Sequence, residues 1–570
     1  MSEANGREAG LKVFYEFIVG VMRFSVRQLE NLLRIIHTVR YLRLRQIFYR
    51  LWYRLRSAAP DLRPAPVVRQ RQGLWAEPTA KPVSMVSPGR FRFLNVEYSL
   101  ESATDWNHPQ RPKLWLYNLH YFDDLCATDA AARRDAHLAL IHRWITENPP
   151  ATGNGWEPYP ISLRVVNWIK WALAGNELPA EALDSLAVQT RYLLKRLEYH
   201  LLGNHLWANA KALVFAGLFF AGDEAQAWLS RGLKILDAQM PEQILEDGGH
   251  FERSPMYHAI ILDDLLDLIN LYRAYGREIP VDWLGAHVCM RAWLIAMSHP
   301  DGDIALFNDA AFQIAPRWQE LDAYAGRLDL ARQSYPPDPI LRFPETGYIR
   351  CEKGPAVLLV DVAPVGPDYL PGHAHADTLN FELSLFGQRV FVDSGTSTYE
   401  KTTERERQRG TTAHNTLTVD GENSTEVWGG FRVARRAYPL ALTCGMTSKG
   451  VFVDCAHDGY RRLPGKVVHR RRWDFVEGRL TLHDRLEGRF GRAQARLHLH
   501  PDVQAELVND DGWRLSLADV HGVAVRVIGA ETLRVEQTTW HPAFGVAVPN
   551  QCLVAEIGTG ELVTQIEWTE

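Results

Sequence analysis

Apolar residues recur at intervals of three and four through the middle of the chain, from about residue 112 to residue 335. This spacing is typical of amphipathic helices, and it is found in AARRDAHLALIHRWITEN, PISLRVVNWIKWALA and HLWANAKALVFAGLFF. The loops between these segments are short, which favours antiparallel helix pairs. The pattern predicts a helical domain over residues 112–335 and leaves a bundle, a solenoid and a ring as alternatives.

The period becomes two after the proline-rich segment YPPDPILRFPETG, residues 335–347. In NFELSLF, Phe381, Leu383 and Leu385 alternate with polar side chains, as in a strand with one buried face. TLTVDG, LTLHDRLEG and ARLHLHPD follow the same rule and end in turn residues. We therefore predict an antiparallel β-sandwich or stacked sheets over residues 345–570, and an α-then-β multidomain fold for the chain.

The first sixty residues have a different character. Arg40–Arg56, RYLRLRQIFYRLWYRLR, carries six arginines and no acid, with apolar residues between them at helical spacing. We predict a basic amphipathic helical segment over residues 1–60 and an extended arm or linker over residues 61–111. Two interpretations of the basic helix are open: it contacts an anionic membrane surface, or its arginines lie against an acidic face of the next domain.

Composition excludes several classes of protein. The 570 residues are enough for two or three domains, and a net charge of −5 provides no overall basic field for nucleic acid. The six cysteines contain no CxxC pair, which argues against a disulfide framework. No apolar run approaches the ~18 residues of a membrane span, and no signal peptide is readable. We expect a cytoplasmic location, free or peripheral to the inner membrane, with the periplasm as the alternative.

One cluster stands out in the β half. In GHAHAD, His373, His375 and Asp377 are two residues apart, so on a strand they would share one face. Asp393 follows the apolar segment RVFV, and His414 precedes the apolar segment TLTV. Two histidines and one carboxylate from adjacent strands form a divalent metal set, with zinc favoured by the ligand types. The alternative is histidines bonded to backbone carbonyls.

The helical half offers acid–base candidates. Ser254 and Pro255 have the signature of a helix N-cap and first position, which places Tyr257 in the first turn, where the helix dipole would favour a phenolate. A tyrosine so placed is a candidate general acid or base, although most tyrosines are simply half-buried. Asn204 and His205 stand at the start of an apolar helix, where Asn204 is either functional or an N-cap.

Aromatic residues are frequent, with 18 Trp, 20 Tyr and 22 Phe, and they suit sugar rings as well as cores. In GWEPYPISLRVVNW, Trp156 and Tyr159 would offer stacking faces, and Arg164 a fork for a substrate carboxylate. We therefore predict these three residues as substrate-binding.

Together these segments resemble the heparinase II/III superfamily of polysaccharide lyases. The matching motifs occur in family order between about residues 200 and 425: GNH, SPMYH, GHAHADTLNFEL, VFVDSG and AHNTLTVDG. GWEPYP is similar to the polysaccharide-biosynthesis-associated branch. The resemblance implies an N-terminal incomplete α/α toroid, a C-terminal antiparallel β-sandwich, a cleft between them, and β-elimination of a uronate-containing acidic polysaccharide.

The resemblance also implies roles for individual residues. Asn204, with His205 beside it, would neutralise or orient the uronate carboxylate; Tyr257 and His373 would divide the base and acid roles according to the uronate epimer. A structural zinc ion would be held at the sandwich side by His375, Asp393 and His414. The resemblance implies no particular uronate, linkage, cleavage mode or oligomeric state.

The sequence departs from the family pattern in one segment and leaves two other functions open. HepII-like members have an acid shortly after the GNH motif, whereas NHLWANAK contains Asn209 and Lys211. One alternative is a glycoside hydrolase or transferase, which needs paired carboxylates; the nearby candidates are Glu246, Asp247 and Glu252. The other is a non-catalytic glycan-binding or scaffold subunit of an envelope polysaccharide pathway.

Overall fold

The computed structural model describes residues 28–331, 338–509, 511–517 and 520–569. Its α-helices occupy these ranges: α1 (28–39), α2 (Leu44–Leu55), α3 (Lys113–Tyr121), α4 (Arg134–Glu147), α5 (Pro158–Leu173), α6 (Ala180–Lys195), α7 (Gly203–Phe219), α8 (Asp223–Gln243), α9 (Pro255–Ala274), α10 (Val281–Ala296), α11 (Trp318–Arg327) and α12 (Thr403–Arg409). The helical segments expected from residue 112 onward are confirmed, while the predicted boundary at residue 335 lies outside the described residues.

The strands fall almost entirely in the second half of the chain. They occupy these ranges: β1 (Met85–Ser87), β2 (Arg90–Phe93), β3 (Val96–Ser99), β4 (Ile340–Phe343), β5 (Tyr348–Lys353), β6 (Ala356–Asp361), β7 (Phe381–Leu385), β8 (Gln388–Phe391), β9 (Leu417–Val419), β10 (Val427–Trp428), β11 (Arg432–Val433), β12 (Pro439–Met446), β13 (Gly450–His457), β14 (Val468–Val476), β15 (Arg479–Glu487), β16 (Ala493–His498), β17 (Gln504–Asn509), β18 (Gly512–Leu517), β19 (Val520–Ile528), β20 (Ala530–Trp540), β21 (Val548–Ile557) and β22 (Glu561–Trp568).

The helices form an incomplete α/α toroid. Helices α3, α5, α7 and α9 contact one another in series, while α6, α8 and α10 pack against that inner layer. The difference follows from the sequence: almost every residue of α7 and α9 is buried, including apolar side chains all round, whereas α8 keeps a polar outer face. The helices therefore form a ring, one of the three arrangements that the helical periodicity left open.

Three antiparallel sheets form the β-sandwich. Their strand orders are β12-β13-β14-β15-β22-β19-β18-β17, β4-β5-β6-β7-β8 and β20-β21-β16-β9. Strand β14 alternates buried and partly exposed residues along its whole length, as expected of a strand with one face on the core. The α-then-β fold, toroid followed by sandwich, is confirmed.

Strand β7 shows how the two halves meet. All five of its residues are buried, so the alternation in NFELSLF does not mark a solvated face. Its polar side chains contact the toroid instead: His299 bonds Ser384 Oγ at 2.7 Å through Nδ1 and Glu382 Oε2 at 2.6 Å through Nε2. Glu382 Oε1 also accepts the backbone N–H of Leu306 at 2.8 Å. A buried polar layer thus joins sandwich to toroid.

The arm over residues 61–111 carries the three-stranded sheet β1-β2-β3 and lies against the toroid. None of the helices in the described part of the chain combines the length and apolarity that a bilayer span requires. All six cysteines are unpaired, as their spacing predicts.

Candidate functional site

A cavity of about 400 Å³ opens where the arm, the toroid and the sandwich meet. Tyr159 and Tyr257 line it from toroid helices, and Tyr399 and Phe544 line it from the second half of the chain. Of the candidate catalytic and substrate-binding residues, Tyr159 and Tyr257 line this cleft directly.

Tyr257 lies in the first turn of α9, as its sequence context predicts. Ser254 is the N-cap, and its Oγ accepts the backbone N–H of Tyr257 at 3.3 Å. The phenol oxygen of Tyr257 lies 3.2 Å from that of Tyr399. Burial, followed by the neighbouring Tyr399, raises the pKa of Tyr257 well above its ordinary value. Desolvation of the charged form therefore opposes the phenolate that the helix dipole would favour.

His373 faces Tyr257, with 3.9 Å between the ring centroids. Its Nδ1 lies 2.9 Å from Asp309 Oδ2, and Nε2 lies 3.8 Å from Glu252 Oε2. Asp309 is fully buried and forms a bidentate ion pair with Arg405 of α12. Burial opposes ionisation of this carboxyl, but Arg405 and the histidine donors hold its pKa well below its usual range.

The GHAHAD segment is a turn-containing loop before β7, not a strand. The expectation of one shared face is therefore wrong, and the loop sends its side chains to two places. His373 contacts the rings of Tyr257 and Tyr399, which line the cleft, while His375 and Asp377 are buried. Both histidines nevertheless bond the same carboxylate, since His375 Nε2 lies 2.9 Å from Asp309 Oδ1.

Asn204 and His205 sit in the first turn of α7. Asn204 is not an N-cap, because that position is Leu202; its amide donates to Glu252 Oε2 at 2.9 Å. His205 Nδ1 bonds Glu198 Oε1 at 3.0 Å. Burial lowers the pKa of His205, but Glu198 more than compensates and leaves it raised.

The ring of Tyr159 lies 4.5 Å from that of His205, at an angle of 43°, and Tyr159 lines the cleft. Trp156 and Arg164 are buried and are not among the residues that line it, and their substrate-binding roles stay predictions. Arg164 is fully buried, donating to Gln189 and to two backbone carbonyls, because the 3.6-residue period turns it into the toroid. The Trp156 indole is buried and donates to a backbone carbonyl.

The cleft floor is charged but internally neutralised. Lys211 Nζ bonds Asp264 Oδ1 and Asp267 Oδ2, both at 2.6 Å, and Lys170 Nζ lies 2.9 Å from Asp267 Oδ2. Burial favours the neutral amine of Lys211, yet the two aspartates raise its pKa. Lys211, one of the residues that depart from the family pattern, is therefore already paired with aspartates of the protein.

Three buried groups near the cleft have the donor set of a metal site. Ligand atoms of His375, Asp377 and His414 lie within 4.8 Å of one another. His375 Nδ1, Asp377 Oδ2 and His414 Nε2 have no hydrogen-bond partner among the described residues, so the set fits a cation. Asp377 replaces the predicted Asp393, whose Oδ2 accepts His414 Nδ1 at 2.7 Å and Asn380 Nδ2 at 2.6 Å. Both oxygens of Asp393 therefore have hydrogen-bond partners, and Oδ2 fixes the orientation of His414.

Several residues of the site lie outside the motifs that the sequence reveals. Asp309 lies in a loop far from any motif, Arg405 lies in α12, and Tyr399 lies shortly before that helix. For Glu252, the sequence suggested only the role of a carboxylate in a hydrolase. The charged run TERERQR is the one sequence signal near them, and its Arg405 is among the largest fully buried side chains.

Fold and cleft together define a two-domain protein of the toroid-plus-sandwich class. Residues 51–326 match the family described as Heparinase II/III N-terminus, and residues 336–569 match Heparinase II/III-like, C-terminal. The chain belongs to the heparinase II/III family, which confirms the resemblance.

Individual relatives are more distant. FtsZ-localized protein C of Caulobacter vibrioides is 28% identical over 431 residues, covering 69% of this chain and 70% of that protein. A heparin-sulfate lyase of Bacteroides stercoris is 28% identical over 248 residues, covering 40% of this chain and 37% of that enzyme. The chain therefore matches little more than a third of that lyase's length.

Solved structures agree in fold. The crystal structure of heparinase III has a TM-score of 0.66 at 19% identity, covering 84% of this chain and 79% of that one. A heparan sulfate lyase mutant from Pedobacter heparinus has a TM-score of 0.59 at 18% identity, covering 92% and 88%.

Proposed function

We propose that this protein is a polysaccharide lyase that cleaves a uronate-containing acidic polysaccharide by β-elimination, in connection with surface polysaccharide synthesis. The observation that carries the proposal is the contact between Tyr257 and His373 in the cleft, with Glu252 lying between His373 and Asn204. Family membership supports the reaction class, and the likeness of GWEPYP to the biosynthesis-associated branch supports the pathway.

The first requirement of the reaction is charge stabilisation. The proton α to the uronate carboxylate is a very weak acid, so the carboxylate must be neutralised as enolate character develops. His205 lies 3.0 Å from Glu198 Oε1, which raises the imidazole pKa against the effect of burial, and it would supply a donor to the substrate carboxylate. Asn204 supplies an amide that now donates to Glu252. Lys211 is not available for this task, because Asp264 and Asp267 hold it.

The second requirement is a base. Asp309 is ionised and faces His373 Nδ1, which places the imidazole proton on Nδ1 and leaves the Nε2 lone pair free. We therefore assign His373 Nε2 as the atom that removes the α-proton. Asp309 acts as a positioning residue, since it contacts the imidazole and not the sugar.

The third requirement is an acid. With its pKa well above 10, Tyr257 holds its proton and donates it to the glycosidic oxygen as the C–O bond breaks. The proton taken by His373 then passes to the neighbouring phenolate, which restores both groups. Because the two rings touch, base and acid approach from one side, which favours syn elimination of a gluco-configured uronate over its C5 epimer.

We also propose that His375, Asp377 and His414 hold a structural zinc ion, with Asp393 fixing the orientation of His414. Bound there, the metal would tie the loop that carries His373 to the segment before β9. No step of the elimination depends on it.

A non-catalytic glycan-binding or scaffold role is the second candidate. Its support is the relative named FtsZ-localized protein C, whose name describes a location and not a reaction, and whose match covers 69% of this chain. The hydrolase alternative has less support. Asp247 Oδ2 accepts the N–H of Thr346 at 2.7 Å and Glu252 is engaged by Asn204, so both carboxylates already have structural partners.

The decisive experiment measures ultraviolet absorbance of the unsaturated uronate formed from a panel of acidic polysaccharides, including gluco- and ido-configured polymers. We expect wild type to give a rising signal and Tyr257→Phe to lose about 10²–10⁴-fold in rate. Tyr272→Phe is the matched control, because Tyr272 is a buried tyrosine near the other end of α9, and it should keep the wild-type rate.

Each other outcome points elsewhere. No unsaturated product from any polymer would refute the lyase and leave the scaffold. New reducing ends without a double bond would favour the hydrolase. An active Tyr257→Phe variant would refute the assignment of the acid.

A further inference from the structure

Helix α2 presents its apolar side to solvent. Leu44, Phe48, Leu51 and Leu55 are 85%, 55%, 55% and 83% exposed. Their spacing of four, three and four residues places them on one stripe of the helix. A helix that serves only the core of its own chain would bury such a stripe.

The opposite side of α2 is the one that packs on the protein. Gln46 is 2% exposed and donates to the carbonyl of Tyr369 at 3.1 Å. The ring of Tyr49 lies 4.8 Å from that of Tyr199, and Tyr53 donates from its hydroxyl to the carbonyl of Leu197. The polar and aromatic side therefore holds the helix in place, and the apolar side remains free.

Arginines border the exposed stripe. Residues 31–60 contain seven arginines and no acid. At about 100° per residue, Arg45 and Arg54 fall on opposite edges of the stripe. Within the described residues, Arg45, Arg50, Arg54 and Arg56 take part in none of the ion pairs. Among the acidic groups that the structure describes, Glu242 pairs with Arg43, and Glu426 lies 3.9 Å from Arg34. The interpretation that the arginines lie against an acidic face thus accounts for two of the seven.

Helix α1 continues the surface. Leu29, Leu32 and Ile36 are each at least half exposed, again at spacings of three and four. The end of α1 is attached to the sandwich, where Trp428 Nε1 donates to Thr38 Oγ1 at 3.2 Å. Both helices therefore sit on the folded body and expose apolar residues outward.

We infer that the outward face of α2, extended by α1, is a docking surface for an anionic lipid bilayer. Charge complementarity favours this occupant: an apolar stripe enters the acyl boundary while arginines on both edges reach lipid phosphates. Trp52 stacks at 5.7 Å on Phe48 of the stripe, and Arg56 lies over the Trp52 ring. This amphipathic group suits the headgroup level. A convex apolar stripe on one helix can enter a bilayer directly, whereas a protein partner would need a groove of matching shape.

Helix α2, which carries the docking surface, contacts segments that are close in sequence to the candidate site residues. Helix α2 contacts Leu197 and Tyr199, just before Asn204, and Tyr369, just before His373. Membrane docking would hold the cleft close to a surface glycan as it is made. The inference itself rests on the helix geometry and stands whether or not the protein eliminates uronates.

The test is co-sedimentation of the full chain with vesicles of phosphatidylglycerol and phosphatidylcholine, against vesicles of phosphatidylcholine alone. We expect at least tenfold stronger binding to the anionic vesicles, weakened by salt. Leu51→Glu and Arg54→Gln should each lower it at least fivefold. Val281→Glu is the matched control, because Val281 is 80% exposed on α10, and it should bind as wild type does.

Thermal unfolding followed by circular dichroism checks that the variants keep the fold. Failure of wild type to bind anionic vesicles, or equal loss in Val281→Glu, would overturn the inference. Self-association without vesicle binding, abolished by Leu51→Glu, would identify the stripe as a contact between copies and would likewise overturn it.

Discussion

Asp309 is the residue whose removal tests the site most sharply. Its buried carboxylate accepts from His373 Nδ1 and His375 Nε2, each at 2.9 Å, and pairs with Arg405. The Asp309→Asn side chain has one acceptor oxygen where aspartate has two. Its amide NH₂ group must then face the hydrogen-bond donors that the second oxygen had accepted from. Breaking a buried ion pair from one side costs about 3–5 kcal/mol, and we expect that loss of unfolding free energy.

The matched control lies in the sandwich. Asp484 is likewise buried, accepts from His469 Nε2 at 2.7 Å, and pairs with Arg471 at 2.7 Å. Burial opposes its ionisation, but Arg471 and His469 lower its pKa to about 2. Asp484→Asn should therefore cost a similar 3–5 kcal/mol, while elimination, measured at a temperature where both variants are folded, falls only in Asp309→Asn, by about 10²–10⁴-fold.

The pH dependence supplies a second readout. The pKa of Asp309 is depressed in the folded state, so its stabilisation is present above the unfolded value of about 3.9 and is lost as pH falls through the folded pKa. The stability difference between wild type and Asp309→Asn should be full above about pH 5 and shrink in stronger acid. Equal loss of elimination in Asp484→Asn, or unchanged stability in Asp309→Asn, would refute the reasoning.

Three further outcomes are expected. Arg164→Gln should lower the unfolding free energy by about 2–4 kcal/mol without raising KM, since Arg164 bonds backbone carbonyls; a raised KM with normal stability would support it as a substrate ligand. Asp377→Asn should lower zinc content more than Asp393→Asn, because Asp377 would bind the metal whereas Asp393 only orients His414. We expect Asp393→Asn to weaken the affinity for zinc about 10–100-fold. Mass spectrometry of both variants checks the order, and the reverse order would return Asp393 to the ligand set. Gly203→Ala should lose about 1–3 kcal/mol on thermal melts, because Gly203 has φ +56° and a Cβ would meet Glu252 Oε1 at 2.2 Å; an unchanged melting temperature would contradict this.

Much of the fold was predictable because it depends on periodicity. Spacings of three and four specified the helices of the toroid, and the change to two after residue 347 specified the strands. The Ser254–Pro255 signature placed Tyr257 in the first turn of α9 for a local reason, since a cap needs only its own neighbours.

The features that the sequence did not reveal are non-local. Arg164 has the chemistry of a carboxylate ligand, but only the packing of α5 decides that it turns into the toroid. The GHAHAD spacing was interpreted as a strand, whereas the loop before β7 divides His373 from His375. The buried surroundings of Tyr257, which raise its pKa, come from Tyr399 and other distant residues. No residue's own neighbours in sequence reveal these contacts.

By itself, then, the sequence determined the order of domains, the helix that carries Tyr257, and the identity of the histidines. Tertiary structure alone decided that Asp309 and Arg405, 96 residues apart, hold His373 in place, and that Asp377 instead of Asp393 has a free oxygen beside His414. The physical reason is that periodicity and capping act within a few residues, whereas burial and ion pairing depend on side chains that only the folded chain brings together.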